Sequence, residues 1–191
     1  LVVVANNQTE GKGRGNKKWF SGKGLGLTCS LLIKQKFNLN KIGLHAILIP
    51  IGIILGIKKI SNISISLKWP NDLYHNNKKL GGVLIESKNT KKNFMYNIGF
   101  GINVNESVTD FPLDIKDKST SLKIAIGETI QRELLLANIL NSIDESIHNV
   151  KESFIIDEWM KYCNHINSKI SVKHNGNFVN GIFKKINQRG Q

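Results

Sequence analysis

Apolar and polar positions along this 191-residue chain switch repeatedly between a two-residue and a three-to-four-residue period, and the switches outline its elements. Leu1–Ala5 is a short β-branched run and reads as a buried strand. Asn6 to Gly24 is too polar and glycine-rich for regular structure and reads as a loop; Leu25 to Ile33 returns to strand character. Asn40 to Ile60 has the length and apolar density of a buried helix. Pro50 should kink or split it, because proline removes one backbone donor and clashes with the preceding turn. Ser64–Leu67 alternates briefly and runs into Lys68-Trp-Pro-Asn-Asp72, whose Pro-Asn-Asp is turn chemistry. Lys79–Ser87 and Asn93–Asn103 read as a hairpin joined by the polar Lys88–Lys92 segment. A long loop containing Phe111-Pro112 follows. Glu128 to about Val150 is the clearest helix, with Ile130, Leu134, Ala137, Leu140, Ile143 and Ile147 on one face. A shorter helix spans Phe154–Tyr162. From Lys169 the pattern becomes short alternating strands, with Asn175-Gly176 as the hairpin turn.

This order predicts an α+β fold: a mixed, largely antiparallel sheet with helices packed on it. The change of pattern near 164–168 predicts a main domain over 1–166 and the beginning of a small β-barrel over 167–191. A few strands alone would leave unpaired edges and little core. The most apolar run, His45–Ile57, is broken by Pro50 and two glycines and is shorter than the ~20 residues of a membrane span. The chain opens without methionine, basic leader or cleavage site. A cytoplasmic location, no membrane partner and a fragment of a longer protein are therefore expected.

Charge changes the picture less than its size suggests. A formal net charge of +13 attracts nucleic acids, acidic proteins and polyphosphates. The lysines are scattered among asparagine and isoleucine, as in Lys34-Gln-Lys36 and Lys91-Lys92-Asn93, so composition explains most of it. A basic nucleic-acid-binding module is the competing reading, since the Gly-Lys-Gly-Arg-Gly-Asn-Lys-Lys string suits phosphate contacts. No helix-turn-helix, zinc or RNA-recognition motif supports it, and DNA is not an expected partner of this chain. Cys29 and Cys163 lack metal-ligand spacing and read as ordinary thiols; no metal site is expected. His45, His75, His148, His165 and His174 show no pairing with a nucleophile and read as ordinary core or surface residues.

The strongest chemical signal is Gln8-Thr-Glu-Gly11-Lys12-Gly13-Arg14-Gly15-Asn-Lys-Lys18-Trp19. Glycines let a backbone approach a ligand closely, Lys12 and Arg14 bring positive charge, and Trp19 offers a flat apolar face. An anion carrying a ring, above all a nucleotide, suits that combination. Downstream stand Lys68-Trp-Pro-Asn-Asp72, then Lys79-Leu-Gly-Gly82-Val-Leu-Ile-Glu86, then Gly99-Phe-Gly101-Ile-Asn103, and finally Thr120-Ser121-Leu122.

In order and spacing these motifs resemble the biotin–protein ligases, which attach biotin to a lysine of a carboxylase carrier domain. The resemblance covers nearly the whole chain. It implies a catalytic domain like that of class II aminoacyl-tRNA synthetases over 1–166, lacking its N-terminal part, and the start of an SH3-like β domain over 167–191. It also implies biotin and ATP with Mg2+ as substrates and counter-ion, a biotinyl-5′-AMP intermediate, release of pyrophosphate and AMP, and a biotin carboxyl carrier protein as partner. By the same resemblance Gly11, Lys12, Gly13 and Arg14 form the loop that closes over the adenylate. Lys12 stands where arginine is common and gives a point charge without a bidentate grip. Lys79 matches the lysine that holds the carboxyl and phosphate oxygens, and Gly81 and Gly82 let the strand approach the ligand. Gln8 matches a glutamine bordering the biotin pocket.

Trp19 matches an adenine shelf, with a buried core tryptophan as the alternative; Asn103 matches a nucleotide contact, and Asn71 fixes the turn beside the adenine site. Lys79, Arg14 and Asp72 are the expected catalytic residues. Asp72 has two readings: acceptor for the incoming lysine amine, or turn aspartate. The family's Ser-Thr-Asn string, which lines the biotin ring system, does not occur, so the isolated chain is expected to bind biotin weakly and transfer it poorly. Lipoate–protein ligases share the acyl-adenylate chemistry and are the nearest enzymatic alternative. A homodimer, and a DNA-binding domain elsewhere in the parent protein, stay open.

Overall fold

Strand β2 (Leu27–Gln35) sets the framework, because Leu27, Cys29 and Leu31 are buried on one face while Thr28 and Ser30 occupy the other. In this computed structural model, residues 1–35, 42–90, 93–149, 152–174, 176–187 and 190 are described. The remaining strands of the main sheet are β1 (Val2–Ala5), β3 (Ser66–Lys68), β4 (Asp72–His75), β5 (Lys78–Thr90) and β6 (Asn93–Ile102). They join in the order β1-β2-β6-β5-β4-β3, with antiparallel pairing throughout. Helices α1 (Ile42–Lys58), α3 (Arg132–Asn149) and α4 (Glu152–Tyr162) share one core with the apolar face of that sheet. A short helix α2 (Leu122–Ile126) is capped by the Ser121 hydroxyl and ends at Gly127 in the left-handed conformation. Strands β7 (Lys169–His174) and β8 (Asn177–Ile182) form a separate two-stranded sheet. The expected α+β architecture, largely antiparallel sheet with helices packed on it and a small additional sheet, is present.

Four expectations change. Leu1–Ala5 is a strand but not a buried one: β1 is the sheet edge, and Leu1, Val2, Val3 and Val4 are each about half exposed or more. β-branched composition reports strand character, not which side of a strand is covered. The apolar helix runs unbroken through Pro50. Ile47, Leu48, Ile49, Ile51, Ile53, Ile54 and Ile57 are all buried around it, and that burial outweighs the ~3 kcal/mol a helical proline costs. The helix placed from Glu128 starts at Arg132, after the Gly127 stop, and its inner face is shifted. Leu135 and Ile139 are fully buried and Leu134 is 52% exposed, because Ser142 and Ser146 continue the buried stripe. The Ser146 hydroxyl is satisfied by the Ser142 carbonyl at 2.6 Å, so a polar residue sits where the pattern required an apolar one. Fourth, Asp72 opens strand β4 and does not sit in the turn that precedes it.

The β5–β6 hairpin is present, and β5 extends to Thr90, into the segment expected to be loop. Lys91–Lys92, Asn40–Lys41, Val150 and Asn175 of the expected hairpin turn lie outside the described residues. No helix among the described residues is long and apolar enough to cross a membrane.

Candidate active site

The face of the sheet opposite the helices carries a row of paired positions, Ala5–Thr28–Gly101–Gly82–Asp72, running across five strands. Its centre is two adjacent glycines, so the backbone there is bare. The Asn6–Gly26 connection folds over this floor. It is held closed on itself by Gly13 N–H to the Lys17 carbonyl (2.7 Å), Trp19 N–H to the Gly11 carbonyl (2.8 Å) and Gly24 N–H to the Asn6 carbonyl (2.8 Å). Floor, loop, the Lys68–Asp72 turn and the β7–β8 sheet enclose a cavity of about 1490 Å3.

Charge in this cavity is one-sided. Lys12, Arg14, Lys17, Lys18, Lys68, Lys79 and Lys169 line it, against Glu10, Asp72 and Glu86 among the described residues. Lys79 Nζ lies 2.7 Å from Asp72 Oδ1 across the β4–β5 pair and 5.9 Å from the centre of the Trp19 ring. The Arg14 guanidinium stands 5.9 Å over the Trp69 ring, whose indole N–H is held by the Gly190 carbonyl at 3.0 Å. The indole of Trp19 rests directly on Gly101: a β-carbon there would collide with Cε2, Cζ2 and Nε1 of the ring. Its N–H is buried without an acceptor among the described residues. At the rim, His165 packs against Phe183 with the rings tilted by 52° (centroids 4.3 Å apart), and burial, then the nearby Lys68 charge, push its pKa down. Burial raises the pKa of Tyr74, with the Asp72 charge adding to it.

The structure gathers most of the expected residues and sets three apart. Gln8, Lys12, Gly13, Arg14, Trp19, Asn71, Asp72, Lys79 and Gly82 line the cavity. Gly11, Gly81 and Asn103 lie behind it. Gly11 leaves space for the Trp19 carbonyl and Gln8 Oε1 where the loop crosses itself. Gly81 is pressed against the Gly101 carbonyl (2.6 Å from a β-carbon position) and Ile102 Cδ1 (2.7 Å), so its small size serves strand packing. Asn103 is buried, and its amide nitrogen donates to the Thr120 carbonyl (2.9 Å) and the Lys79 carbonyl (3.4 Å). It therefore fixes the backbone that carries Lys79. Asn71 does the same for Val83, donating its amide to that carbonyl while accepting the Val83 N–H at 2.9 Å.

Sequence reasoning missed Gly101, Lys68, Lys169 and His165 as cavity residues. The Gly99-Phe-Gly101 spacing held a signal for the first, since two glycines at i and i+2 share one face of a strand. Lys68 opens the Lys68–Asp72 motif itself, whereas nothing in the local pattern marks Lys169 and His165, which reach the cavity only through tertiary packing. Cys163 Sγ lies 3.4 Å from His165 Nδ1, but burial pushes its thiol up. Cys29 is raised to about 11. Neither is a thiolate near neutral pH, and among the described residues no cluster of side chains could hold a metal. The side chains of His45 and His174 are not described.

This combination defines a basic cavity on a glycine-floored sheet, suited to an anionic ligand. Residues 1–103 match the model of the biotin/lipoate A/B protein ligase family, and the chain belongs to that family. It is 38% identical over 140 residues to the bifunctional ligase/repressor BirA of Bacillus subtilis, covering 73% of this chain and 43% of that protein. The human biotin–protein ligase is 30% identical over 159 residues, 80% of this chain and 22% of its own length. The chain thus spans less than half the length of these relatives. The biotin protein ligase of Aquifex aeolicus in complex with biotin and ATP superposes with a TM-score of 0.83 at 29% identity, over 99% of this chain and 79% of that one.

Proposed function

We propose that the protein attaches biotin to a lysine of a biotin carboxyl carrier protein, in the cytoplasm, through biotinyl-5′-AMP. The observation that carries this reading is the Lys79–Asp72 pair standing between the glycine–cation loop and the bare Gly82–Gly101 floor.

In the first step the biotin carboxylate oxygen attacks the α-phosphorus of ATP, the P–O bond to the β-phosphate breaks, and pyrophosphate leaves. Two anions must meet, so fixed positive charge at the point of bond formation is the main requirement. Lys79 supplies it from below and Arg14 from the loop, with Lys12 adding a second loop charge. Mg2+ arrives as the counter-ion of ATP. Trp19 offers a face to the adenine. Gln8 borders the biotin end. The closed loop keeps water from the mixed anhydride. In the second step the carrier lysine amine attacks the biotinyl carbon and AMP leaves. Asp72 accepts a hydrogen bond from that amine once Lys79 has turned to the phosphate, a reading supported by the present contact of Asp72 with Lys79. Asn71 and Asn103 act by holding the strands. The division into a catalytic domain over 1–166 and the beginning of a second domain over 167–191 belongs to the same reading.

Incubation of the full-length protein with α-labelled ATP and either biotin or lipoate tests this. Labelled biotinyl-AMP is expected with biotin alone. Adenylate formed only with lipoate would overturn the substrate assignment, and none with either would overturn the activity.

A further inference from the structure

The two ends of the cavity loop meet at a single guanidinium. Arg132, the first residue of α3, donates from Nη1 to the Gly26 carbonyl at 3.0 Å and from Nη2 to the Asn6 side-chain oxygen at 3.1 Å. Gly26 immediately precedes β2 and Asn6 immediately follows β1, so one fork spans the root of the loop. Asn6 also accepts the Gly24 N–H through its backbone carbonyl (2.8 Å), which closes the neck.

Arg132 is itself held in place from the site floor. Beyond the end of β6 at Ile102 the chain passes through Asn103 to Asn105, whose side-chain amide donates to the Ile130 carbonyl (2.9 Å) and accepts the Ile130 N–H (2.8 Å). That two-way clamp fixes the approach to α3. Glu106, fully buried, lies under the same neck: a β-carbon on Gly26 would stand 2.8 Å from its Oε1. The segment that pins the Lys79 carbonyl through Asn103 therefore also braces the arginine that pins the loop.

We propose that Arg132 is the hinge clasp of the Asn6–Gly26 loop. It is a positioning residue that keeps Lys12, Arg14 and Trp19 over the cavity without touching the ligand. Its consequence for adenylate retention rests on the function proposed above; its control of loop order does not. An arginine fork presenting two donors to one neck has geometry that lysine cannot reproduce. Charge-assisted hydrogen bonds are the stronger ones, so losing both should open the neck by about an order of magnitude.

Limited trypsin digestion of the ligand-free full-length protein reads the clasp directly, since Lys12, Arg14, Lys17 and Lys18 all lie in the loop. Arg132→Lys should raise cleavage at these sites about tenfold relative to sites in the helices. Asn6 is exposed, so Asn6→Ala is safe for folding; it should give a smaller increase, and the double variant's total increase should be less than the two single effects combined. Adenylate release, measured with biotin and ATP, should accelerate in the same rank order. Unchanged loop cleavage in both single variants would overturn the proposal. So would cleavage that rises equally at all sites, because that reports general destabilisation. Faster loop cleavage in a protein that forms no adenylate would uphold the clasp and overturn the function.

Discussion

Gly101→Ala isolates the role of the loop, because the collision it creates has one soft side. The new methyl would meet Cε2, Cζ2 and Nε1 of Trp19, with Cζ2 and Nε1 at 2.6 Å, and these three contacts are its nearest. Overpacking costs roughly 1–3 kcal/mol where neighbours cannot move. Here the neighbour is a half-buried side chain on a loop, so the loop should lift and relieve most of that cost. Gly81→Ala is the control: its methyl meets the Gly101 carbonyl at 2.6 Å and Ile102 Cδ1 at 2.7 Å, inside the β5–β6 pair, where backbone must shift.

For a domain of this size 1 kcal/mol corresponds to about 2–4 °C in Tm. Gly81→Ala should therefore lower Tm by roughly 4–10 °C, and Gly101→Ala by less than about 3 °C. Indole fluorescence should show the opposite ranking, with Trp19 moving into water in Gly101→Ala. Biotinyl-AMP bound to that variant should escape at least tenfold faster on rapid dilution, as a loop that no longer seats exposes the anhydride. Equal Tm losses in the two variants, or Gly101→Ala with unchanged fluorescence and unchanged retention, would refute the placement of Trp19 on the glycine floor.

Other consequences are sharper in sign than in size. Lys79→Ala should lower the adenylation rate by about 10²–10³, the range for removing a fixed electrostatic donor, with Tm moving little because its partly exposed ion pair contributes under ~1 kcal/mol. Arg14→Ala should leave adenylate formation measurable but speed its release several-fold, and identical retention in a dilution assay would count against the phosphate contact. Leu135→Ala should cost about 2–5 kcal/mol in denaturant unfolding and Leu134→Ala under about 0.5, a contrast that inverts if the expected helix register were right. Burial raises the pKa of Glu106, an effect that the backbone N–H groups of Glu106 and Val104 and the Arg132 charge only partly oppose. The folded state then holds a proton that the unfolded state has released, so stability is greatest below the unfolded value of 4.5 and falls as pH rises from there toward the folded value. Glu106→Gln should accordingly gain Tm relative to wild type as pH increases from 4.5 to 7, and a pH-independent difference would exclude this linkage.

How far the sequence reached depends on how local each determinant is. The glycine–cation loop, Lys79 and the Lys68–Asp72 segment were readable because each is a contiguous string whose chemistry shows in its composition. Their convergence on one cavity is what the sheet order adds. Asn103 belongs to an equally clear motif, yet its side chain turns to the Lys79 and Thr120 carbonyls, and only the β5–β6 register reveals that. Arg132 was invisible for a related reason: its partners are 106 and 126 residues away in sequence. The helix face of α3 was misread because two serines, Ser142 and Ser146, occupy its buried stripe, and hydrophobic periodicity does not register the local hydrogen bond from the Ser146 hydroxyl to the Ser142 carbonyl that lets Ser146 be buried. β1 was misplaced in burial because a valine run looks the same at an edge as at a centre.

The central claim is that this cavity joins a biotin carboxylate to the α-phosphate of ATP with Lys79 at the point of bond formation. Exchange of labelled pyrophosphate into ATP, followed with and without biotin in the full-length wild type and in Lys79→Ala, measures that step alone. The account predicts exchange that requires biotin and falls by at least about a hundredfold in the variant. Biotin-independent exchange, or a variant as active as wild type, would contradict it.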